Sequence, residues 1–177
     1  MRKLKLDELN RPGLEIYRAQ KKLPLIVLLD NVRSGLNVGS VFRTADAFAL
    51  ERLVLCGITA RPPHREILKT AIGANESVAW SYRERVEEAA RELKDMGYRL
   101  LGVEQTDQSR PLQAYRWPEG EALAVLFGNE VDGLSDEVLP LLDQAVEVPQ
   151  FGTKHSLNVS VCAGVVLWEL LRQYRFG

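Results

Sequence analysis

The chain has 177 residues, which fits one domain, and its hydrophobic share of 46% is enough for a real core. No apolar run approaches the roughly 20 residues of a membrane helix, and the N-terminal MRKLKLDEL lacks the apolar stretch of a secretory signal. Cys56 and Cys162 each sit in apolar sequence and are expected to be buried free thiols, as in a reducing cytoplasm.

The net charge of −1 argues against a protein wrapped around nucleic acid, but the charge is unevenly spread. Met1 to Pro24 carries Arg2, Lys3, Lys5, Arg11, Arg18, Lys21 and Lys22 against Asp7, Glu8 and Glu15, which leaves the rest acidic. This segment, residues 1–24, is expected as a basic helical extension, one or two short helices with Pro12 opening the second. It is either a solvated amphipathic face or an arm that touches phosphates, and charge alone does not decide.

The domain proper is expected over residues 25–177. It opens with LIVLLD (Leu25–Asp30), a continuous apolar run rich in branched residues, as in a strand buried on both faces. Similar runs recur at Leu53–Cys56, Leu100–Val103, Leu123–Phe127 and Ala145–Val148, with a weaker one at Val78–Tyr82. Helical patterns fall between them at Val38–Phe48, His64–Ala71, Glu84–Asp95, Ser135–Leu142 and Leu157–Tyr174. Strands alternating with helices predict an α/β fold with a mainly parallel sheet flanked by helices.

The last helix is apolar almost all round, through Leu157, Val159, Val161, Cys162, Val165, Val166, Leu167, Trp168, Leu170 and Leu171. Such a helix is buried on more than one side. It is either a central core helix or the interface of a symmetric dimer; a homodimer through this helix is the expectation.

Ligands of open α/β sheets bind beyond the carboxyl ends of the strands, and three loops there are dense in glycine and polar groups. They are Asp30–Phe48, Phe127–Ser135 and Val148–Gly164. Gly35 and Gly39 lack the spacing of a dinucleotide loop, no acidic residue ends the second strand, and no Walker loop is present. Nor does any set of His, Cys and carboxylates at ligand spacing suggest a metal.

Asn37-x5-Arg43, then Gly128-Asn129-Glu130 with Gly133-Leu134-Ser135, then Ser156-Leu157-Asn158-Val159-Ser160 resembles the three signature motifs of the SpoU (TrmH-like) family. That family of RNA 2′-O-ribose methyltransferases belongs to the SPOUT superfamily, and the likeness runs from Leu25 to about Arg172. Ala49 departs from it, standing where the family commonly has glycine. The resemblance implies a C-terminal trefoil knot, an S-adenosylmethionine pocket built from the second and third motif loops, and dimers that bring the first motif's arginine near that pocket.

It also implies roles for particular residues. Arg43 would hold the target ribose or its phosphate, more as an electrostatic clamp than as a base, because a guanidinium rarely deprotonates. Asn37 would orient Arg43 or Glu130, or merely cap its helix. Glu130 would pair with Arg43 or support its loop, while Ser156 and Asn158 would hydrogen-bond the ribose, Ser156 doubling as a helix cap. For the cofactor, Gly128 would permit close approach, Val148 and Leu157 would wall the adenine, and Glu104 and Gln105 would meet hydroxyls. Lys154, with Lys21 and Lys22 of the arm, would serve RNA phosphates, and His155 is not required by the motif. Trp80, Trp117 and Trp168 read as core or interface.

The function implied is methylation of structured RNA, tRNA before rRNA because no long basic tail or separate RNA-binding domain is visible. A non-catalytic RNA-binding scaffold and methylation of an RNA base stay open as alternatives.

Overall fold

The computed structural model describes residues 1–177, the side chain of Leu6 excepted. Seven parallel strands form one sheet: β1 (Leu23–Asp30), β2 (Leu50–Cys56), β3 (Ala79–Arg83), β4 (Tyr98–Val103), β5 (Arg110–Pro111), β6 (Ala122–Phe127) and β7 (Gln144–Glu147). Their order across the sheet is β3-β2-β1-β6-β4-β7-β5, so β6 is central with β1 beside it, and every strand delivers its carboxyl end to the same edge.

The period-two alternation of side chains divides the core between the two faces of this sheet. Leu25, Val27 and Leu29 of β1, with Leu123, Val125 and Phe127 of β6, meet the cluster that holds α2 (Gly35–Ala47) and α6 (Val159–Phe176). Ile26 and Leu28, with Ala124 and Leu126, meet α5 (Val86–Asp95) through Val86, Ala89, Ala90 and Leu93. Burial on both faces is why these strands read as unbroken apolar runs. Two short helices, α3 (Arg65–Ala71) and α4 (Ala74–Ser77), pack on α2, and α4 also meets β3.

The N-terminal segment is fastened to the domain through α1 (Leu14–Ala19). The buried Tyr17 hydroxyl donates to the Asp46 carbonyl at 3.1 Å, and Arg18 donates to the Glu76 carbonyl at 2.6 Å. Pro12 does not open this helix; Gly13 is its N-cap and Leu14 its first residue.

Three other expectations change. Ser135–Leu142 is not an α-helix but a chain of turns ending in a 3₁₀ segment at Leu139–Leu141. Its bonds run three residues back, Val138 to Ser135 and Leu141 to Val138, each at 3.0 Å, and Pro140 has no N–H for a four-residue ladder. The last helix starts at Val159, not Leu157, because Asn158 and not Ser156 is its N-cap, accepting from the backbone N–H groups of Ser160 and Val161. Cys162 is half-buried where full burial was expected, while Cys56 is buried.

Along α6, Val159, Ala163, Val166, Leu167 and Leu170 pack inward at helical spacing. Val161, Val165 and Trp168 face outward, Trp168 half-exposed and tilted against Phe48 with ring centroids 6.0 Å apart. Trp117 is half-buried against Tyr174, and Trp80 is partly exposed on the edge strand β3. No helix among the described residues is long and apolar enough to cross a membrane.

Candidate functional site

Beyond the carboxyl ends of β4, β6 and β7 lies a cavity of about 300 Å³. Val103, Phe127 and Glu147 end these strands within it, and the loops that follow close it with Gly128–Gly133, Val148, Gln150 and His155–Leu157. Gly128, Glu130, Val148, Ser156, Leu157, Glu104 and Gln105 all line it, as does His155.

Two backbone positions make this loop arrangement possible. A side chain at Gly128 would collide with the Gly133 carbonyl and the Leu134 N–H, and Gly133 has φ +71°, a conformation that suits glycine. Asn129 folds the loop between them, its side-chain oxygen accepting from Val131 and Asp132 at 2.9 Å each. Glu104 pins the far side: its carboxylate accepts from the Leu134 N–H at 2.8 Å and from the Gln105 N–H at 2.9 Å. Gln105 in turn donates to the His155 carbonyl at 3.2 Å, joining the β4 and β7 loops.

Asp30, at the end of β1, is buried and accepts from the Ser135 N–H at 2.7 Å and the Asn31 side chain at 2.8 Å. Burial pushes its carboxyl above the usual range, and the bonds from Ser135 offset part of that. The second motif loop is thereby tied to the first.

Asn37 completes the assembly. It is not the cap of α2: Ser34 caps, accepting from the Asn37 backbone N–H at 3.3 Å, and this leaves the Asn37 side chain free for other work. Its amide nitrogen donates to the Glu130 carboxylate. Its oxygen accepts from the Asn158 side chain at 3.1 Å and from the Ser160 hydroxyl at 3.4 Å. One side chain thus bridges the β1, β6 and β7 loops. Ser160 was visible only as the end of the third motif; helical spacing could not show that its hydroxyl faces Asn37. Asn129 is visible in sequence only as a member of the second motif, and Asp30 and Ser34 carry no signal of their own, being short polar residues that look like any turn or strand end.

Arg43 stands apart. It is exposed on the outer face of α2 and, among the described residues, makes no ion pair or hydrogen bond, so the Arg43–Glu130 pairing does not form within one protomer. Six residues of helix turn it about 120° away from Asn37. Lys154 and Lys21 are exposed. Lys22 is not free for phosphate: its ammonium lies 3.1 Å from the centroid of the Tyr17 ring and donates to the Tyr17 carbonyl, at the end of α1.

The cavity suits a methylated sulfonium nucleoside. Its volume is at the small end of ligand pockets. Val103, Phe127, Val148, Leu157 and Val159 offer apolar walls for a purine, while Glu104, Glu130 and Glu147 set carboxylates around a cationic ligand. Cys162 also reaches it; burial pushes that thiol up to about 11, so it is a neutral, soft wall.

Comparison with known proteins agrees. A sequence model of the SpoU rRNA Methylase family matches residues 24–168. A 23S rRNA (guanosine-2'-O-)-methyltransferase of Neisseria meningitidis serogroup B is 34% identical over 85% of this chain and 59% of its own length. A tRNA (guanosine(18)-2'-O)-methyltransferase of Thermus thermophilus is 32% identical over 94% of this chain and 84% of its own. The crystal structure of the SpoU methyltransferase AviRb from Streptomyces viridochromogenes, in complex with the cofactor AdoMet, superposes with a TM-score of 0.75 at 25% identity, covering 92% of this chain and 62% of that one. The chain therefore spans about three fifths of the Neisseria and Streptomyces proteins and most of the Thermus one. Since the matching region runs from the second residue of β1 well into α6 and takes in every loop around the cavity, the chain belongs to the SpoU rRNA Methylase family.

Proposed function

We propose that the chain transfers a methyl group from S-adenosylmethionine to a ribose 2′-hydroxyl of structured RNA, tRNA before rRNA. The observation that carries this reading is the Asn37 junction, which brings three loops distant in sequence together at one cavity.

S-adenosylmethionine supplies an already activated methyl on sulfonium. What remains for the chain is alignment of the hydroxyl with that carbon, exclusion of water, and stabilisation of charge growing on the ribose oxygen. Val148 and Leu157 would hold the adenine between apolar walls, and Gly128 would let the backbone come close. Ser156 and Asn158 donate to the ribose, with Asn158 held by Asn37. Glu130, steadied by the Asn37 amide, keeps the β6 loop shut over the cavity. As the ribose oxygen took the methyl, the methyl–sulfur bond would break to leave S-adenosylhomocysteine, and the hydroxyl proton would pass to solvent.

Arg43 reaches this chemistry across a dimer. Val161, Val165 and Trp168 of α6 leave an apolar face open beside the exposed side of α2, and a second copy of the chain covers it. Arg43 of one protomer then meets the cavity of the other. It grips a phosphate with its planar fork and stabilises the developing alkoxide. The trefoil knot implied by the family lies within each chain, gathering the β6 and β7 loops.

The test is transfer of labelled methyl to unmodified tRNA and rRNA transcripts, with nucleoside mass spectrometry to locate the methyl on ribose. Arg43→Lys, which keeps the charge and loses the fork, is expected to cut turnover at least 100-fold while S-adenosylhomocysteine affinity stays within twofold. A methyl found on a base, or near-native turnover by the lysine variant, would overturn the assignment.

A further inference from the structure

The loops after β1 and β2 form a ledge of unpaired cations that the chemistry above does not use. The Ala60 N–H donates to the Val32 carbonyl at 3.2 Å, and the Ile58 N–H donates to the Asn31 side chain at 3.1 Å, so the two loops run side by side. Arg33 and Arg61 are the next residues along each. Gly35 packs on the His64 ring, which sets Arg65, the first residue of α3, beside them, with Lys69 one turn further. All four cations are exposed, and none makes an ion pair among the described residues. Glu66 is the acidic neighbour, in the first turn of α3, and it pairs with none of these cations.

Arg61 is held in place. Its guanidinium carbon lies over the Tyr82 ring, 4.0 Å from the centroid, while the residue stays exposed to solvent. A stacked arginine has little freedom left to lose when it meets an anion, which makes it a fixed phosphate donor instead of a waving surface charge. In a chain whose net charge is −1, an uncompensated cluster of this kind is selective for a polyanion.

We infer that Arg33, Arg61 and Arg65 form an RNA-docking ledge that grips backbone phosphates flanking the target nucleotide, with Arg61 set by Tyr82. This inference rests on the RNA-modifying reading. β2 lies two strands from β6 in the sheet, about 10 Å at usual strand spacing, so the ledge and the cavity share one edge and one stretch of RNA spans both. Asn31 links them, its amide 3.4 Å from the Ser135 hydroxyl.

The experiment measures affinity of an unmodified tRNA transcript against salt concentration, for the unaltered chain and for the triple variant Arg33→Ala, Arg61→Ala, Arg65→Ala. S-adenosylhomocysteine binding is read by calorimetry on the same samples. Loss of three phosphate contacts flattens the log–log salt slope by about 2 for a single-stranded path, and weakens binding at least tenfold at low salt. Tyr82→Leu keeps every charge but releases Arg61, and is expected to fall between the two. S-adenosylhomocysteine affinity should not change. An unchanged slope and affinity in the triple variant, with cofactor binding intact, would overturn the ledge and leave the methyltransferase reading standing. A slope that depends on the ledge in a chain that binds no S-adenosylhomocysteine would do the reverse.

Discussion

Replacing Asn37 by alanine removes the one side chain common to all three motif loops. The change spares α2, because Ser34 caps the helix through the Asn37 backbone N–H, which alanine retains. Lost are a bond to the exposed Glu130 carboxylate, one from Asn158 at 3.1 Å, and a weak one from Ser160 at 3.4 Å. With about 1 kcal/mol for each of the first two and little for the third, the assembled loops lose about 2 kcal/mol relative to open ones. That is roughly a thirtyfold change in the equilibrium between them. S-adenosylhomocysteine affinity should therefore fall by about tenfold or more, and amide exchange should quicken in the loops around Glu130 and Asn158 but not in β1. Ser34→Ala is the control: it removes the cap, costs about 1 kcal/mol of stability, and leaves the bridging side chain in place. Equal cofactor affinity and equal loop exchange in Asn37→Ala would refute the idea that this junction holds the site together.

Ala49 has φ +52° at the end of α2, a left-handed conformation that costs an L-residue about 1–2 kcal/mol. Ala49→Gly should stabilise the chain by up to about 1 kcal/mol after glycine's own entropy cost, raising Tm by about 2–4 °C in calorimetry; a lower Tm would show that strain is absent. Hydrogen bonds from Arg172 and Gln173 hold the Glu169 carboxyl at about 2, against 4.5 unperturbed. A carboxyl depressed on folding contributes stability above its unfolded value and loses it as pH falls from about 4.5 towards 2. Glu169→Gln should thus melt lower than the unaltered chain at pH 7, with the gap closing across that window, and a gap that persists at pH 2 would contradict this. Burial pushes the Cys56 thiol up to about 12 and the half-exposed Cys162 to about 11. At pH 8 a thiol reagent should label Cys162 first, S-adenosylhomocysteine should slow it, and Cys56 should react only on unfolding; fast labelling of Cys56 would be the contrary result.

Much of this protein is written locally. Strands buried on both faces need unbroken apolar runs, so LIVLLD and its counterparts announce a parallel sheet. The polar, glycine-rich loops behind three of those strands mark the functional edge, because backbone that must turn tightly or approach a ligand selects such residues. The short edge strand Arg110–Pro111 was not legible, since two residues carry no periodicity. Nor was the failure of Ser135–Leu142 to form an α-helix, for its apolar spacing suits one and only Pro140 and the packing of Leu134 and Val138 oppose it.

The division is sharpest at the site. Composition and spacing name Asn37, Glu130 and Asn158 as candidates but cannot say that they touch, because hydrogen bonds between residues 93 and 121 positions apart depend on how the sheet orders its strands. The same folding decided which amide caps a helix and which bridges loops, and it turned Lys22 onto Tyr17 while leaving Arg43 outside. Sequence determines which groups are present and how each segment repeats; the path of the chain through space determines which of those groups meet.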